Sequence, residues 1–93
     1  MKILFFSANW CGQCKVVKPK FIELCKKYNF DNYQIIDADE DSEKVDDYAI
    51  KNLPTAIFIF NENNKTKVIR EIGFDILKET ETQLANICKV CTN

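Results

Sequence analysis

Short apolar runs and two-residue alternation predict four strands along the chain. Residues 2–6 form an apolar run rich in aromatic residues, which is typical of a strand buried on both faces. Residues 33–37 and 55–60 are two further strand-like segments, the second with β-branched and aromatic residues throughout. Residues 65–72 alternate polar and apolar side chains, which predicts a half-exposed or edge strand. Residues 61–64 are a turn signal, so the third and fourth strands should form an antiparallel hairpin.

A helix is predicted to follow the first strand and to begin near Cys11. Apolar residues then recur at spacings of three and four, which is the pattern of one helical face. These residues are Val17, Phe21, Leu24 and Tyr28. Pro19 interrupts the helix, and because it removes one backbone hydrogen bond it should kink the helix there.

Two more helices are expected. The first runs from about residue 42 to 51, follows an acidic segment that suits a helix N-terminus, and would bury Val45, Tyr48 and Ala49. The second runs from about residue 75 to 90. Its apolar stripe contains Leu77, Leu84, Cys88 and Cys91, with Thr80 on the same stripe.

The predicted order of elements is therefore β-α-β-α-β-β-α. Because a helix links the first two strands, they should be parallel, with a right-handed crossover. We expect an α/β protein in which three helices flank a four-stranded mixed sheet. At 93 residues the chain should form one domain that spans residues 1–93.

Charge and hydropathy exclude several classes of function. A net charge of -1 offers no electrostatic basis for binding nucleic acid or an anionic membrane surface. The longest apolar runs, residues 3–6 and 56–60, are too short to cross a bilayer. The N-terminal segment lacks the length and the small-residue cleavage site of a secretory signal. We therefore expect a cytoplasmic protein with no nucleic-acid or membrane partner.

The five cysteines include a closely spaced pair in the segment WCGQC, residues 10–14, and the chain has no histidine. In a reducing cytosol such a pair is more often catalytic or metal-binding than structural. Cys11 stands where a strand and loop give way to a helix, so its sulfur should face unpaired backbone N–H groups and the positive end of the helix dipole. Both favour the thiolate, which is the form that attacks disulfides.

The neighbours of this pair suit a redox centre. Cys14 lies one turn inside the same helix, near enough to Cys11 to close a disulfide ring. Gly12 should let the backbone bend, Trp10 can shield one side, and Lys15 adds a positive charge. Cys11 would attack a substrate disulfide and Cys14 would resolve the mixed disulfide, without an external cofactor. The alternative is a pair of buried structural thiols.

The motifs WCGQCK and LPT, together with Pro19 and Gly73, resemble those of the thioredoxin family, and the likeness runs from Lys2 to about Ile87. The resemblance implies a thioredoxin-like fold that lacks the usual first strand and first helix, a shortened form that also looks like glutaredoxins and small archaeal thioredoxin-like proteins. It also implies that the first cysteine of the motif is the nucleophile and the second the resolving thiol.

The same resemblance implies a substrate-binding groove beside the CxxC motif. Pro54 would be the family's cis-proline, with Thr55 following it, and the backbone of Leu53 would pair with an extended substrate peptide as an added strand. Gly73 would lie close by and leave room for that peptide. For Pro54 the alternative is a plain strand-opening proline.

Two departures from the family pattern bear on the chemistry. Gln13 replaces the proline common in the middle of the motif, which should make the pair more oxidising than a typical thioredoxin. Phe5 and Ile35 stand where many family members have a buried aspartate and its lysine partner. The usual proton acceptor for Cys14 is thus missing, water or Asp37 would have to replace it, and we expect mixed disulfides to be resolved slowly.

The other three cysteines leave several interpretations open. Cys88 and Cys91 form a second CxxC, which with the first pair formally supplies enough thiolates for zinc. Cys25 and this second pair should, however, lie about 20 Å along their helices from the first pair. Packing as small hydrophobic residues is favoured over a disulfide or a soft-metal site. The acidic segment 37–47 lacks the glycine and spaced glutamate of a calcium loop, so no metal is expected.

Together these observations predict a monomeric reductase of protein disulfides that is recharged by a thioredoxin-reductase-type or glutathione reductant. One alternative is a glutaredoxin-like enzyme that uses glutathione, and another is a non-catalytic thioredoxin-fold module that grips a partner polypeptide. The tryptophan of WCGQC and the LPT segment favour the first function, since glutaredoxins more often carry Cys-Pro-Tyr-Cys and a valine before the cis-proline.

Overall fold

A computed structural model describes the backbone of residues 1–91 and the side chains of residues 1–87. The elements follow the predicted β-α-β-α-β-β-α order. They are β1 (Lys2–Ser7), α1 (Gly12–Lys27), β2 (Tyr33–Asp37), α2 (Ser42–Asp47), β3 (Thr55–Glu62), β4 (Lys65–Ile72) and α3 (Asp75–Cys91). Helix α1 contains Pro19 and continues beyond it to Lys27.

The four strands form one mixed sheet in the order β2-β1-β3-β4. β1 and β2 are parallel, as the helix between them predicted, and Phe5 lies opposite Ile35. β3 is antiparallel to both β1 and β4. Because parallel strands linked by a helix end at the same edge of a sheet, the residues that follow β1 and β2 meet there.

The β3–β4 hairpin is tighter than its four polar residues suggested. Asn61 pairs with Thr66 and Glu62 with Lys65, so the strands continue through half of the predicted turn. Only Asn63 and Asn64 form the loop, and both have positive φ angles, 50° and 64°. Two residues in the left-handed region match the right-handed twist of the flanking strands, and asparagine tolerates that conformation better than most residues.

The sheet separates two apolar cores, which explains why β1 and β3 are apolar on consecutive positions. One core lies between the sheet and helices α1 and α3. It consists of Ile3, Phe5, Val17, Phe21, Cys25, Ala56, Phe58, Ile76 and Leu84. Leu4, Phe6, Ile36 and Ile57 form the other core, on which Val45 and Tyr48 of the α2 region pack. Each fully buried aromatic or aliphatic side chain contributes about 1.5–3 kcal/mol to stability.

Helix α2 ends four residues earlier than predicted. The N–H of Ile50 donates to the Val45 carbonyl at 2.9 Å and that of Ala49 to the Asp46 carbonyl at 3.1 Å. Ala49 has a φ of 50°, which is the left-handed position of a helix-ending motif. The predicted burial of Ala49 is therefore wrong, because the chain turns there and leaves this side chain exposed. Arg70 on β4 donates hydrogen bonds to the Ala49 and Tyr48 carbonyls at this turn.

Helix α3 packs on the sheet through Ile76, Thr80 and Leu84, all of which are buried. The predicted stripe correctly included Thr80 and Leu84. It also included Leu77, which is only half-buried, and omitted Ile76, which is fully buried. The Thr80 hydroxyl donates to the Ile76 carbonyl at 2.6 Å, so its burial leaves no unpaired polar atom. The predictions for Cys88 and Cys91 concern side chains outside the described residues.

Candidate active site

The two cysteines of the WCGQC segment lie at the N-terminus of α1 and are joined as a disulfide, with their Cα atoms 5.3 Å apart. Cys11 is the N-cap residue of the helix, and its Sγ accepts a hydrogen bond of 3.2 Å from the backbone N–H of Cys14. The first turn of α1 contains no acidic residue. The positive end of the helix dipole is therefore not offset locally, and negative charge on the Cys11 sulfur is favoured after reduction.

The loop after β1 holds this pair against the edge of the sheet. The N–H of Cys11 donates to the Ala8 carbonyl at 3.1 Å, and Leu53 packs against the small cluster of Ala8, Cys11 and Cys14. The predicted need for a flexible Gly12 is wrong. A side chain there would meet open space, and Gly12 is not among the residues with positive φ. The change of direction occurs instead at Cys11, whose backbone is extended.

Trp10 lies on the rim of the site, 68% exposed, and its indole Nε1 donates to Asp39 Oδ2 at 2.9 Å. Asp39 in turn donates its backbone N–H to Asp37 Oδ1 at 2.9 Å. Sequence reasoning assigned the acidic segment to a solvated helix start and missed Asp39. The signal that could have found it was the parallel pairing of β1 and β2, which brings the residues after both strands to one edge.

The residues expected to bind substrate assemble on the other side of the pair. The Leu53–Pro54 peptide bond is cis, as the resemblance implied. The N–H of Gly73 donates to the Pro54 carbonyl at 3.0 Å, and Gly73 has a φ of 66°, a conformation that favours glycine. Thr55 is buried, and its hydroxyl donates to the Asn52 carbonyl, so this side chain braces the loop. Leu53, Pro54 and Gly73 are therefore neighbours, and Leu53 contacts the cysteine pair directly.

Gln13 and Lys15 are both exposed and lie on different sides of the motif. The carboxamide of Gln13 lies against Gly73, where a Cβ atom would come within 3.2 Å of Gln13 Oε1. Lys15 instead lines a cleft behind Cys14. The motif thus presents a neutral amide to the groove and a cation to the opposite side.

The cleft behind Cys14 has a volume of about 320 Å³. Its lining comprises Ser7, Ala8, Asn9, Cys14, Lys15, Lys18, Pro19, Ile35 and Asp37. Phe5, which the resemblance places at the position of the family's aspartate, is fully buried and lies opposite Ile35. Among the residues that line the cleft, Asp37 is the carboxylate that shares it with Cys14.

Cys25 is remote from this chemistry. It is a free thiol, fully buried in the core beneath α1 and α3, and burial raises its pKa to about 12. A thiol in that state is protonated at neutral pH and packs as an apolar side chain. This environment agrees with the favoured interpretation of Cys25 as a packing residue.

Within the described part of the chain, no three histidine, cysteine, aspartate or glutamate side chains are grouped to hold a metal ion. None of the helices among these residues has both the length and the apolar character needed to span a bilayer.

Comparison with known proteins places these features in a family. A family model described as Thioredoxin matches residues 1–89. Thioredoxin from Pongo abelii is 35% identical over 82 residues, which cover 88% of this chain and 77% of that protein. Thioredoxin H9 from Arabidopsis thaliana is 41% identical over 64 residues, which cover 69% of this chain and 46% of that protein. The chain thus spans less than half of the plant protein and about three quarters of the primate one.

The fold gives the same result. The structure of Fasciola hepatica thioredoxin matches with a TM-score of 0.71 at 30% identity, over 87% of this chain and 77% of that one. The predicted four-stranded, three-helix thioredoxin-like fold is therefore confirmed. The adjacent, disulfide-bonded Cys11 and Cys14 support thiol–disulfide oxidoreductase chemistry. By sequence, by fold and by this cysteine pair, the chain belongs to the thioredoxin family.

Proposed function

We propose that this chain is a protein disulfide reductase that cycles between a Cys11–Cys14 dithiol and the corresponding disulfide. The observation that carries the proposal is the position of the Cys11 sulfur. It lies at the N-terminus of α1, accepts the Cys14 backbone N–H, and belongs to the small cluster on which Leu53 packs, next to the cis-proline Pro54. A sulfur in this position is stabilised as a thiolate, and the backbone of Leu53 beside it could pair with an extended peptide.

In the first step the Cys11 thiolate attacks one sulfur of the substrate disulfide. A bond forms between Cys11 and that sulfur, the substrate's own S–S bond breaks, and the displaced sulfur leaves as a thiolate that takes up a proton from water. The helix N-terminus stabilises the attacking anion, so we expect the thiolate form of Cys11 to be favoured.

In the second step Cys14 attacks the Cys11 sulfur of the mixed disulfide. The Cys11–Cys14 bond forms, the bond to substrate breaks, and the second substrate thiolate leaves and is protonated. Cys14 must lose its own proton for this attack. Because Phe5 and Ile35 are apolar, we propose that Asp37 accepts the proton through water in the cleft that it shares with Cys14.

The groove supplies orientation rather than covalent chemistry. An extended substrate would pair with the backbone of Leu53, pass the cis-proline Pro54, and run beside Gly73. Trp10, held by Asp39, would cover the opposite side of the reacting sulfurs. These roles follow from family membership and from the proximity of the four residues to the cysteine pair.

The remaining parts of the cycle are also proposals. A thioredoxin-reductase-type enzyme or glutathione would return the disulfide to the dithiol, with no cofactor beyond the cysteine pair. The protein would act as a monomer in the cytoplasm, in electron transport and cell redox homeostasis. Family membership supports protein disulfides as substrates and a thioredoxin-reductase-type partner.

Insulin reduction tests the function. The protein is supplied either with NADPH and a thioredoxin reductase or with glutathione and its reductase, and insulin precipitation is recorded. We expect the wild-type protein to be active, Cys11→Ser to be inactive, and Cys14→Ser to accumulate a mixed disulfide at Cys11 that mass spectrometry identifies. The proposal fails if the fully reduced wild-type pair leaves insulin intact. Activity with glutathione alone would instead indicate the glutaredoxin-like alternative.

A further inference from the structure

Gln13 is the residue of the CxxC motif whose side chain lies against Gly73, one of the residues proposed to bind substrate. A Cβ atom placed on Gly73 would lie 3.2 Å from Gln13 Oε1, 3.5 Å from Nε2 and 3.6 Å from Cδ. The N–H of Gly73 donates to the Pro54 carbonyl at 3.0 Å. The exposed carboxamide therefore lies next to the glycine that is hydrogen-bonded to the cis-proline.

The Gln13 carboxamide is free to bind a ligand. The residue is exposed, and its side chain forms no hydrogen bond with any other residue that the structure describes. A carboxamide offers two N–H donors and a carbonyl acceptor. It can therefore pair with both the C=O and the N–H of a peptide backbone. A proline at this position has neither group in its side chain.

We propose that Gln13 is a specificity-determining residue that hydrogen-bonds the backbone of a substrate polypeptide next to its disulfide cysteine. This inference rests on the proposed function. An extended peptide that pairs with Leu53 still carries N–H and C=O groups at its neighbouring residues, and those that the groove removes from water need partners. Gln13 supplies both kinds of partner from an exposed position against Gly73.

The consequence is a preference between classes of disulfide. A peptide disulfide has backbone amides that Gln13 binds, whereas a small disulfide without amides gains nothing from this residue. Changes at Gln13 also alter the first turn of α1 and hence the reactivity of Cys11, but that effect applies to both classes of substrate. The ratio of the two rates therefore isolates recognition from reactivity.

The test measures single-turnover reduction of three disulfides by the reduced protein. The first is the disulfide dimer of N-acetyl-Ala-Cys-Ala-amide, and the second is the same dimer N-methylated at the alanine after each cysteine. The third, bis(2-hydroxyethyl) disulfide, has no amide. The variant Gln13→Met keeps the length of the side chain without the carboxamide. Gln34→Met, on the exposed face of edge strand β2, is the matched control.

We expect Gln13→Met to lower the ratio of peptide rate to hydroxyethyl disulfide rate by about 2- to 10-fold, the effect of one or two neutral hydrogen bonds. Gln34→Met should leave the ratio unchanged, and N-methylation should slow the wild-type protein but not Gln13→Met. An unchanged ratio in Gln13→Met overturns the inference, provided that its rate with hydroxyethyl disulfide shows a folded, reactive protein. Failure of the wild-type protein to reduce any of the three would overturn the proposed function itself.

Discussion

Cys11 and Cys25 both belong to helix α1. Cys11 is its N-cap residue, and Cys25 lies near its C-terminal end. The Cys11 sulfur accepts a backbone N–H at the helix N-terminus, where the positive end of the helix dipole favours an anion. Cys25 is fully buried among aromatic and aliphatic side chains, and this burial raises its pKa to about 12. Two residues with identical intrinsic chemistry are thus placed in opposite electrostatic environments.

Residue type and membership of the same helix therefore do not determine the reactivity of a thiol. What matters is whether the sulfur meets unpaired N–H groups or an apolar core. At Cys11 the backbone supplies partners for a negative charge, so ionisation is favoured. At Cys25 a thiolate would have neither water nor polar partners to stabilise its charge. The neutral thiol is therefore favoured, and it packs like any small apolar side chain.

Alkylation with iodoacetamide at pH 7 should give the largest contrast. The fraction of Cys25 present as thiolate falls tenfold for each unit by which its pKa exceeds that of Cys11. A thiolate of higher pKa is more nucleophilic, but this offsets only part of the difference in rate. We expect Cys25 in the reduced protein to react at least about 100-fold more slowly than Cys11, as peptide mapping would measure. In urea the two rates should converge. Comparable rates in the folded protein would contradict the contrast.

Alkaline stability tests the Cys25 half of the comparison. Its pKa is raised from 9.0 to about 12, so above pH 9 the unfolded protein releases a proton that the folded protein keeps. Stability therefore falls as pH rises, by about 2 kcal/mol at pH 10.5 from this residue. Urea unfolding of the disulfide form should show the gap between wild type and Cys25→Ala shrinking by that amount between pH 7.5 and 10.5. A constant gap would refute the assignment.

The redox equilibrium with glutathione tests the environment of Cys11. Gln13→Pro should stiffen the first turn of α1, because proline fixes φ, and should thereby favour the closed disulfide. We expect the variant to be less oxidising by about tenfold in its equilibrium constant, which corresponds to about 30 mV. Titration against glutathione buffers measures this shift, with Gln13→Met as the control that lacks the ring. Equal equilibrium constants for wild type and Gln13→Pro would show that the residue at position 13 does not set the reduction potential in this way.

The smallest expected effect separates Cys14 from Cys11. Asp37→Asn keeps the hydrogen bond from the Asp39 backbone but removes the carboxylate from the cleft. We expect resolution of the mixed disulfide to slow by about threefold, while the initial attack by Cys11 is unchanged. Rapid-quench measurements of both steps would show this, with Asp31→Asn in an exposed loop as the control. If neither step changes, water alone accepts the Cys14 proton.

Elements encoded by local pattern were predictable, and elements that depend on packing were less so. The four strands were placed within two residues of their observed ends, because their composition and alternation are local. The end of α2 was missed, since Ala49 carries no sequence signal for a left-handed turn and the carbonyls there are bonded by Arg70 from a distant strand. Ile76 was missed because a helical stripe can rotate by one residue until the sheet selects its buried face.

Three features were readable from the amino-acid pattern alone: the order of elements, the parallel pairing of the first two strands, and the location of Cys11 at the start of a helix. These follow from periodicity, connection type and capping, all of which act between neighbours in the chain. Three other features depend on the tertiary structure. They are the hydrogen bond from Trp10 to Asp39, the cleft shared by Asp37 and Cys14, and the position of Gln13 against Gly73. Those contacts join residues far apart in the chain, and they exist because the strand order β2-β1-β3-β4 brings the ends of separate elements to one edge of the sheet.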